Sequence, residues 1–182
     1  EQMDEKLSRV RHSMSHVMAE AVLQMFPNAQ IAIGPAIENG FYYDFDLPRA
    51  LTNEDLDEIS QRMKQIIKDD KEFKRIVVSR DEAKRLFSDQ VYKQELIDAI
   101  PADEEVSLYN QGGFTDLCRG PHVKSTKELN PESFKLLNSA GSYWRGKETN
   151  PMLTRIYATA WTNPNDLRLY LQKLYDIEKG DH

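Results

Sequence analysis

The stretch Thr115–His122 reads TDLCRGPH and contains the only cysteine of the 182-residue chain, together with one of its four histidines. Three residues separate Cys118 from His122, and the glycine and proline among them predict a turn. His12 and His16 have the same spacing near the start of the chain. One thiol and three imidazoles are typical either of a zinc site or of a metal-free acid–base pocket, and the spacing leaves both open.

The first two histidines lie in a predicted helix. Residues 7–26 carry apolar side chains at helical spacing, and at about 100° per residue His12 and His16 lie roughly 160° from the centre of the apolar stripe. Histidines in that position either converge on a ligand or face water. Ser13 stands where metalloproteases of the H-E-x-x-H type have their glutamate base, which argues against a protease.

Composition limits the classes of protein that the chain can belong to. Apolar residues make up 40% and charged residues 30%, which is typical of a globular protein of one or two domains. The net charge of −6 argues against a general nucleic-acid coat but leaves room for a local basic rim. A single cysteine, no apolar window of ~18 residues and no export signal predict a cytoplasmic protein without a membrane partner.

The order of predicted elements indicates an α+β fold with a largely antiparallel sheet flanked by helices. Asn39-Gly40 between two strand-like segments predicts a hairpin. The proline after Asn130 predicts a short helix that ends at Leu137. In the predicted helix 91–100, Lys93 reads as a surface residue. Asp116 precedes the cysteine by two residues, so in an extended segment both side chains point the same way.

Six motifs carry a resemblance to a known family. They are HSMSH at 12–16, IGP at 33–35, NGFYYD at 39–44, DLCRGPH at 116–122, YWRG at 143–146 and RIYATAW at 155–161. Together they resemble the N-terminal editing domain of bacterial-type threonyl-tRNA synthetases, and the editing domain of alanyl-tRNA synthetases shares the frame H-x-x-x-H…C-x-x-x-H. The resemblance implies the common threonyl/alanyl editing-domain fold over residues 1–161. Residues 162–182 would then be a linker helix towards an aminoacylation domain absent from this sequence.

The resemblance also implies an activity, namely hydrolysis of the ester of mischarged Ser-tRNA(Thr) while Thr-tRNA(Thr) is spared. Serine lacks one methyl group of threonine, and a missing methyl gives only about 1–3 kcal/mol of discrimination at a synthetic site. A second pocket that admits serine and refuses the methyl group supplies the rest. The implied partners are the acceptor end of tRNA(Thr) and the remainder of the synthetase.

The positions that match the family's site residues are His12, His16, Tyr43, Lys93, Asp116, Cys118 and His122. The resemblance implies that Tyr43 and Asp116 bind the serine moiety. It further implies that His12, together with Lys93, positions or activates the water. The remaining three side chains would shape and polarise the pocket.

Two arginines flank these motifs, and we expect Arg119 and Arg145 to contact tRNA phosphates. No metal or other cofactor is expected, because the threonyl relatives work without one. Zinc at the four cysteine and histidine positions remains the alternative, since the alanyl relatives use them as ligands.

Two other functions therefore compete with the first. One is a free-standing, zinc-dependent editing protein of the alanyl type, and the other is a non-enzymatic interaction module stabilised by zinc.

Overall fold

The structure is a computed structural model, and it describes residues 4–180. The five α-helices of this part of the chain are α1 (Glu5–Met25), α2 (Asn53–Lys68), α3 (Arg80–Leu86), α4 (Val91–Ala99) and α5 (Pro164–Glu178). Its eight strands are β1 (Gln30–Ile31), β2 (Ala36–Ile37), β3 (Gly40–Asp46), β4 (Phe73–Val78), β5 (Val106–Gln111), β6 (Phe114–Leu117), β7 (Phe134–Tyr143) and β8 (Met152–Ala160). The α+β class is confirmed. Residues 1–3 of the expected domain 1–161 and residues 181–182 of the expected linker 162–182 lie outside the described residues.

The strands form two antiparallel sheets. The larger sheet has the order β1-β3-β8-β7, with β2 also paired to β3, and the smaller one has the order β4-β5-β6. The turn between β2 and β3 places Asn39 at φ 67°, a left-handed conformation that asparagine tolerates well. The predicted hairpin is therefore confirmed.

Helix α1 lies on the larger sheet and is enclosed on almost every side. Alternation along β3 points Phe41, Tyr43 and Phe45 into the core, where each is buried. The middle of α1 is also buried on its polar side, including Ser13 and His16. A helix enclosed in this way can present polar side chains to an internal site instead of to solvent.

Helix α2 begins with a reciprocal capping box. The Thr52 hydroxyl accepts from the Asp55 amide at 3.1 Å, and the Asp55 carboxylate accepts from the Thr52 amide at 2.8 Å. Arg49 adds two hydrogen bonds to the same carboxylate, at 2.5 and 3.0 Å. The capping box gives partners to amide groups at the start of the helix that would otherwise lack them, and Arg49 holds the Asp55 carboxylate in place.

The predicted short helix from Asn130 to Leu137 is wrong. Asn130 instead forms a tight turn, with its side chain accepting from the Glu132 amide at 2.8 Å. The chain then enters β7, which pairs with β8 from Phe134 onward. Pairing in the sheet buries Phe134 and Leu136, so tertiary contacts outweigh the local helix signal of the proline.

Helix α5 closes the described chain. Asn163 caps it by accepting from the Asp166 amide at 2.9 Å, and Leu167 is its buried contact with the domain. The Tyr170 ring packs against Trp161 at a tilt of 41°, with ring centroids 5.2 Å apart, and adds a second contact. Within residues 4–180, no helix combines the length and the apolar character needed to cross a membrane.

Candidate active site

A cavity of about 370 Å³ lies where α1, α4, the end of β6 and the segment between β1 and β2 meet. Of the nine residues expected in the site, seven line it: His12, His16, Tyr43, Lys93, Asp116, Cys118 and Arg119. His122 lies behind the cavity wall, with its ring stacked on His12 at a centroid distance of 4.3 Å. The structure therefore brings the pair His12 and His16 next to the pair Cys118 and His122.

The four residues His12, His16, Cys118 and His122 form what we call the cysteine–histidine cluster. Their ligand atoms all lie within 4.8 Å of one another. The sulfur of Cys118 is 3.3 Å from Nε2 of His12 and 3.2 Å from Nε2 of His122. His16 is only 2% exposed and so does not face bulk water, whereas His12 is partly buried and lines the cavity.

Backbone contacts fix the cysteine in this position. The Cys118 amide donates to Ser107 O at 3.1 Å, and the Ser107 hydroxyl donates back to Cys118 O at 2.8 Å. Gly120 has φ +80°, and a side chain there would run into the Tyr109 ring. This turn lets the Gly120 amide donate to the sulfur at 3.2 Å and brings His122 back beside it.

Ser13 holds the His122 ring from behind. Its hydroxyl lies 2.9 Å from Nδ1 of His122 and accepts from the Val123 amide at 3.1 Å. Because the amide must be the donor in the second contact, the Ser13 proton is free to point at Nδ1. This assigned arrangement leaves the proton of the imidazole on Nε2, which faces the sulfur of Cys118.

Burial controls the protonation of the cluster. Desolvation lowers the pKa of His12, against a smaller opposing effect of its hydrogen bond to the Pro121 backbone. Desolvation also lowers the pKa of His16 and of His122 well below the ordinary value, and neighbouring charge adds to this in both cases. Desolvation raises the pKa of the Cys118 thiol to about 12. Near neutral pH the cluster thus holds neutral imidazoles and a thiol.

The donor set of the cluster fits a metal ion. One thiol and three imidazoles are ligands that zinc uses; to ligate it, His122 would take the other tautomer, with Nδ1–H donating to the Ser13 oxygen and Nε2 free. Ligand atoms around a tetrahedral zinc lie about 3.3–3.7 Å apart. The two sulfur–nitrogen distances of 3.3 and 3.2 Å are at or below that range and also suit direct hydrogen bonds, in which the thiol donates to Nε2 of His12 and accepts from Nε2–H of His122.

Beside the cluster lies a buried network around Asp116. Its carboxylate is 2.6 Å from Nζ of Lys93, and it accepts from the Tyr43 hydroxyl at 2.6 Å and from the Leu117 amide at 2.8 Å. Nε2 of His16 lies 3.5 Å away. Desolvation, followed by the Asp116 charge, raises the pKa of Tyr43 well above its ordinary value, so the phenol remains a donor.

Lys93 is not a surface residue, which is the reading that its helix alone favours. The side chain is 2% exposed and donates to Ala32 O at 2.7 Å and to the Tyr43 hydroxyl at 3.1 Å, besides its contact with Asp116. Three acceptors around one nitrogen match the three N–H groups of an ammonium. Its place in the site agrees with the position that the resemblance assigned.

The two arginines differ in position. Arg119 lines the cavity mouth, and its exposed guanidinium pairs with Glu104. Arg145 does not line the cavity; its guanidinium lies over the Trp144 ring and 3.5 Å from Glu95. Of the two, only Arg119 is placed to contact a molecule that enters this cavity directly.

Sequence reasoning missed two serines and a stretch of backbone. Ser13 and Ser15 are completely buried, and each is hydrogen-bonded to a different side of the cavity. The segment Ala32–Pro35 forms one wall of the cavity. In the sequence, the two serines stand out only because they lie between His12 and His16. That position predicts that they lie beside the site, but it does not predict their hydrogen-bond partners.

Comparisons with known proteins show which families the sequence is similar to. Residues 106–157 match the family described as the threonyl and alanyl tRNA synthetase second additional domain. That match contains Asp116 and two members of the cluster, Cys118 and His122. It also contains Arg119 and Arg145, whereas His12, His16, Tyr43 and Lys93 precede it along the chain.

Longer relatives cover these remaining residues too. Threonine–tRNA ligases from Bartonella bacilliformis and Dehalococcoides mccartyi are 53% and 56% identical over 178 and 176 residues, 97% of this chain in both cases. The threonine–tRNA ligase of Saccharophagus degradans is 53% identical over 181 residues, 98% of the chain. The chain spans only 27%, 30% and 28% of the length of these three relatives. Over nearly its whole length the chain is similar to a segment of threonine–tRNA ligases, and residues 106–157 within it match the second additional domain.

Proposed function

We propose that this chain is an editing domain that hydrolyses the ester of Ser-tRNA(Thr) and spares Thr-tRNA(Thr). The observation that carries the proposal is a cavity of about 370 Å³ that places a neutral histidine beside a buried carboxylate, ammonium and phenol. The names of its relatives, threonine–tRNA ligases, support the choice of substrate.

In this proposal Asp116 and Tyr43 bind the serine moiety. Three hydrogen bonds to the Asp116 carboxylate, at 2.6, 2.6 and 2.8 Å, leave it about one further acceptor position. The amino group of serine takes that position as an ammonium donor. The Tyr43 hydroxyl lies beside it and orients the carboxylate that holds the amino group.

His12 acts as the general base in the proposal. Its imidazole lines the cavity and is neutral because burial lowers its pKa, so it can take a proton from water. The water oxygen attacks the ester carbonyl carbon, and the bond from that carbon to the ribose oxygen breaks. The proton passes from His12 to the leaving ribose oxygen, giving serine and tRNA with a free hydroxyl. Lys93 assists His12 through its positive charge, because its three N–H groups already have protein acceptors.

His16, Cys118 and His122 shape and polarise the pocket, and we propose that they do so without a metal. A zinc ion held by the cluster would polarise the carbonyl and activate water. The short sulfur–nitrogen distances, which suit direct hydrogen bonds, support the metal-free form.

The proposal assigns residues 1–161 to the editing domain and 162–182 to a linker helix that leads towards the rest of the synthetase. Its partner is the acceptor end of tRNA(Thr), with Arg119 and Arg145 as candidate phosphate contacts. We place the protein in the cytoplasm, where tRNA is aminoacylated.

A deacylation assay with Ser-tRNA(Thr), Thr-tRNA(Thr) and Ser-tRNA(Ala) tests the proposal. We expect hydrolysis of the first substrate alone, and its loss in His12→Ala with an unchanged circular dichroism spectrum. Lys84→Ala, which removes an exposed side chain, is the control and should remain active. Preference for Ser-tRNA(Ala) would support the alanyl-type alternative, and hydrolysis of none would support the interaction module.

A further inference from the structure

One wall of the cavity is made of backbone, the segment Ala32–Pro35. On one side, β3 holds it. Ile33 O accepts from the Asp44 amide at 2.9 Å, and Pro35 O accepts from the Tyr42 amide at 3.3 Å. The carbonyl groups of the alternate residues, Ala32 and Gly34, do not bond to β3, so β3 holds only every second carbonyl of the wall.

The two helices that frame the cavity hold the other carbonyl groups. Ala32 O accepts from Nζ of Lys93 on α4 at 2.7 Å. Gly34 O accepts from the hydroxyl of Ser15 on α1, also at 2.7 Å. Each of the four carbonyl oxygens of the wall thus has a donor, and Ser15 is the link between the wall and the helix that carries His12 and His16.

The Ser15 hydroxyl is committed to this link. Ser15 is completely buried, and its single proton is shared between Gly34 O and His12 O, both 2.7 Å away. His12 O has a second donor in the α-helical amide one turn later. Among residues 4–180, Gly34 O has no donor besides Ser15.

The opposite side of Gly34 is closed by Tyr43. A side chain on Gly34 would overlap the Tyr43 ring, and that ring is fixed by its hydrogen bond to Asp116 at 2.6 Å. The wall therefore cannot move towards the ring, and the hydroxyl of Ser15 prevents it from moving away. Both limits act on the width of the cavity.

We propose that Ser15 is a specificity-determining residue that sets the width of the serine pocket by holding Gly34 O. This inference rests on the proposed editing function. Ser15 does not touch the substrate in it; it is a positioning residue that acts through the wall. A fixed wall is what rejection of one methyl group requires, because a methyl group in a well-fitted pocket changes specificity by about 10–200-fold.

The chain offers a matched pair of variants. Ser13 and Ser15 lie in the same helical turn, both are 0% exposed, and alanine removes one hydroxyl from each. Ser13 holds His122 and does not contact the wall. The two variants therefore lose the same group at the same depth but disturb opposite sides of the cavity.

The experiment measures the hydrolysis rates of Ser-tRNA(Thr) and Thr-tRNA(Thr) by the 182-residue chain and both variants. We expect Ser15→Ala to lower the ratio of the two rates by about tenfold, mainly through faster hydrolysis of Thr-tRNA(Thr). Ser13→Ala should lower both rates together and leave their ratio unchanged. A ratio within about twofold of wild type in Ser15→Ala, or an equal fall of both its rates, would overturn the proposal.

Binding of the non-hydrolysable seryl and threonyl amides of adenosine, measured by calorimetry, separates this proposal from the proposed function. If the wild type hydrolyses nothing, the editing function fails. The role of Ser15 is then decided by binding: it is supported if the wild type prefers the seryl amide and Ser15→Ala loses that preference, and refuted if the preference is unchanged in the variant. If Ser15→Ala does not fold, Gly34→Ala displaces the same wall from the side of Tyr43 and must lower the preference as well. An unchanged preference in Gly34→Ala would refute control of specificity by the wall.

Discussion

Replacing Lys93 by methionine tests whether the buried network holds the site together. Nζ of Lys93 lies 2.6 Å from Oδ1 of Asp116, and the two side chains are 2% and 1% exposed. At an effective dielectric constant of about 20, their attraction is roughly 6 kcal/mol, much of which desolvation cancels. Lys93→Met keeps most of the volume but leaves a buried carboxylate without its counter-charge. We expect it to lower the free energy of unfolding by about 3–5 kcal/mol.

Urea unfolding followed by circular dichroism measures this loss, and Lys84→Met is the matched control. Lys84 also lies 2.6 Å from a carboxylate, that of Asp98, but the two side chains are 38% and 58% exposed, so its loss should be about 1 kcal/mol or less. Lys93→Met/Asp116→Asn should regain part of the stability, because no buried charge is left unpaired. The reasoning is refuted if Lys93→Met costs no more than Lys84→Met, or if the single losses add in the double variant.

The remaining predictions concern the metal, the tRNA and the fold. Metal analysis of the wild-type chain, purified without chelator, should find far less than one zinc ion per chain, and near-stoichiometric zinc would contradict this. Lys93→Met should bind added zinc more tightly than the wild type, and equal affinities would contradict that. Arg119→Ala should raise KM for Ser-tRNA(Thr) and reduce its salt dependence by about one phosphate contact, with a smaller effect in Arg145→Ala; an unchanged KM in both would exclude them as phosphate contacts. Thr52→Ala should cost about 1 kcal/mol in urea unfolding, and no loss would contradict a role of its cap. The Arg49 guanidinium holds the pKa of Asp55 below its ordinary value. The stability that Asp55 contributes is therefore present above about pH 4 and lost as the pH falls below it. A loss of unfolding free energy in Asp55→Asn that does not change with pH would contradict this.

Local signals predicted the parts of the fold that depend on local interactions. The spacing of apolar residues predicted α1, and Asn39-Gly40 predicted the turn of the hairpin. The angle between the apolar stripe and the pair His12 and His16 predicted that they are not ordinary core residues. That angle could not show whether the two histidines face a binding site or bulk water, because this depends on which segment of the chain covers that side of the helix. In the structure the covering segment is the Cys118 turn, about a hundred residues later.

Features that depend on distant partners escaped the local signals. Lys93 reads as a surface residue in its own helix, yet its acceptors Ala32 and Tyr43 are 61 and 50 positions away. The segment that begins at Phe134 has a proline signal for a helix, but β8 offers it a full row of backbone partners and a core contact. In both cases the decisive contact was long-range. Only the resemblance of whole motifs, which carries such contacts implicitly, assigned Lys93 to the site.

The position of Lys93 also bears on the choice between metal and metal-free chemistry, which the cluster by itself leaves open. Burial dominates the pKa of both groups, lowering that of His16 and raising that of Cys118, and the Lys93 ammonium has a smaller lowering effect on each, so its charge reaches two of the four candidate ligands. Zinc would bring two further positive charges into the same buried region, where repulsion between like charges is weakly screened. It would also require a deprotonated thiol, although burial raises the pKa of Cys118 to about 12. A site that already contains a fixed cation has less to gain from a metal, and removal of that cation should therefore make the same four ligands better at binding zinc.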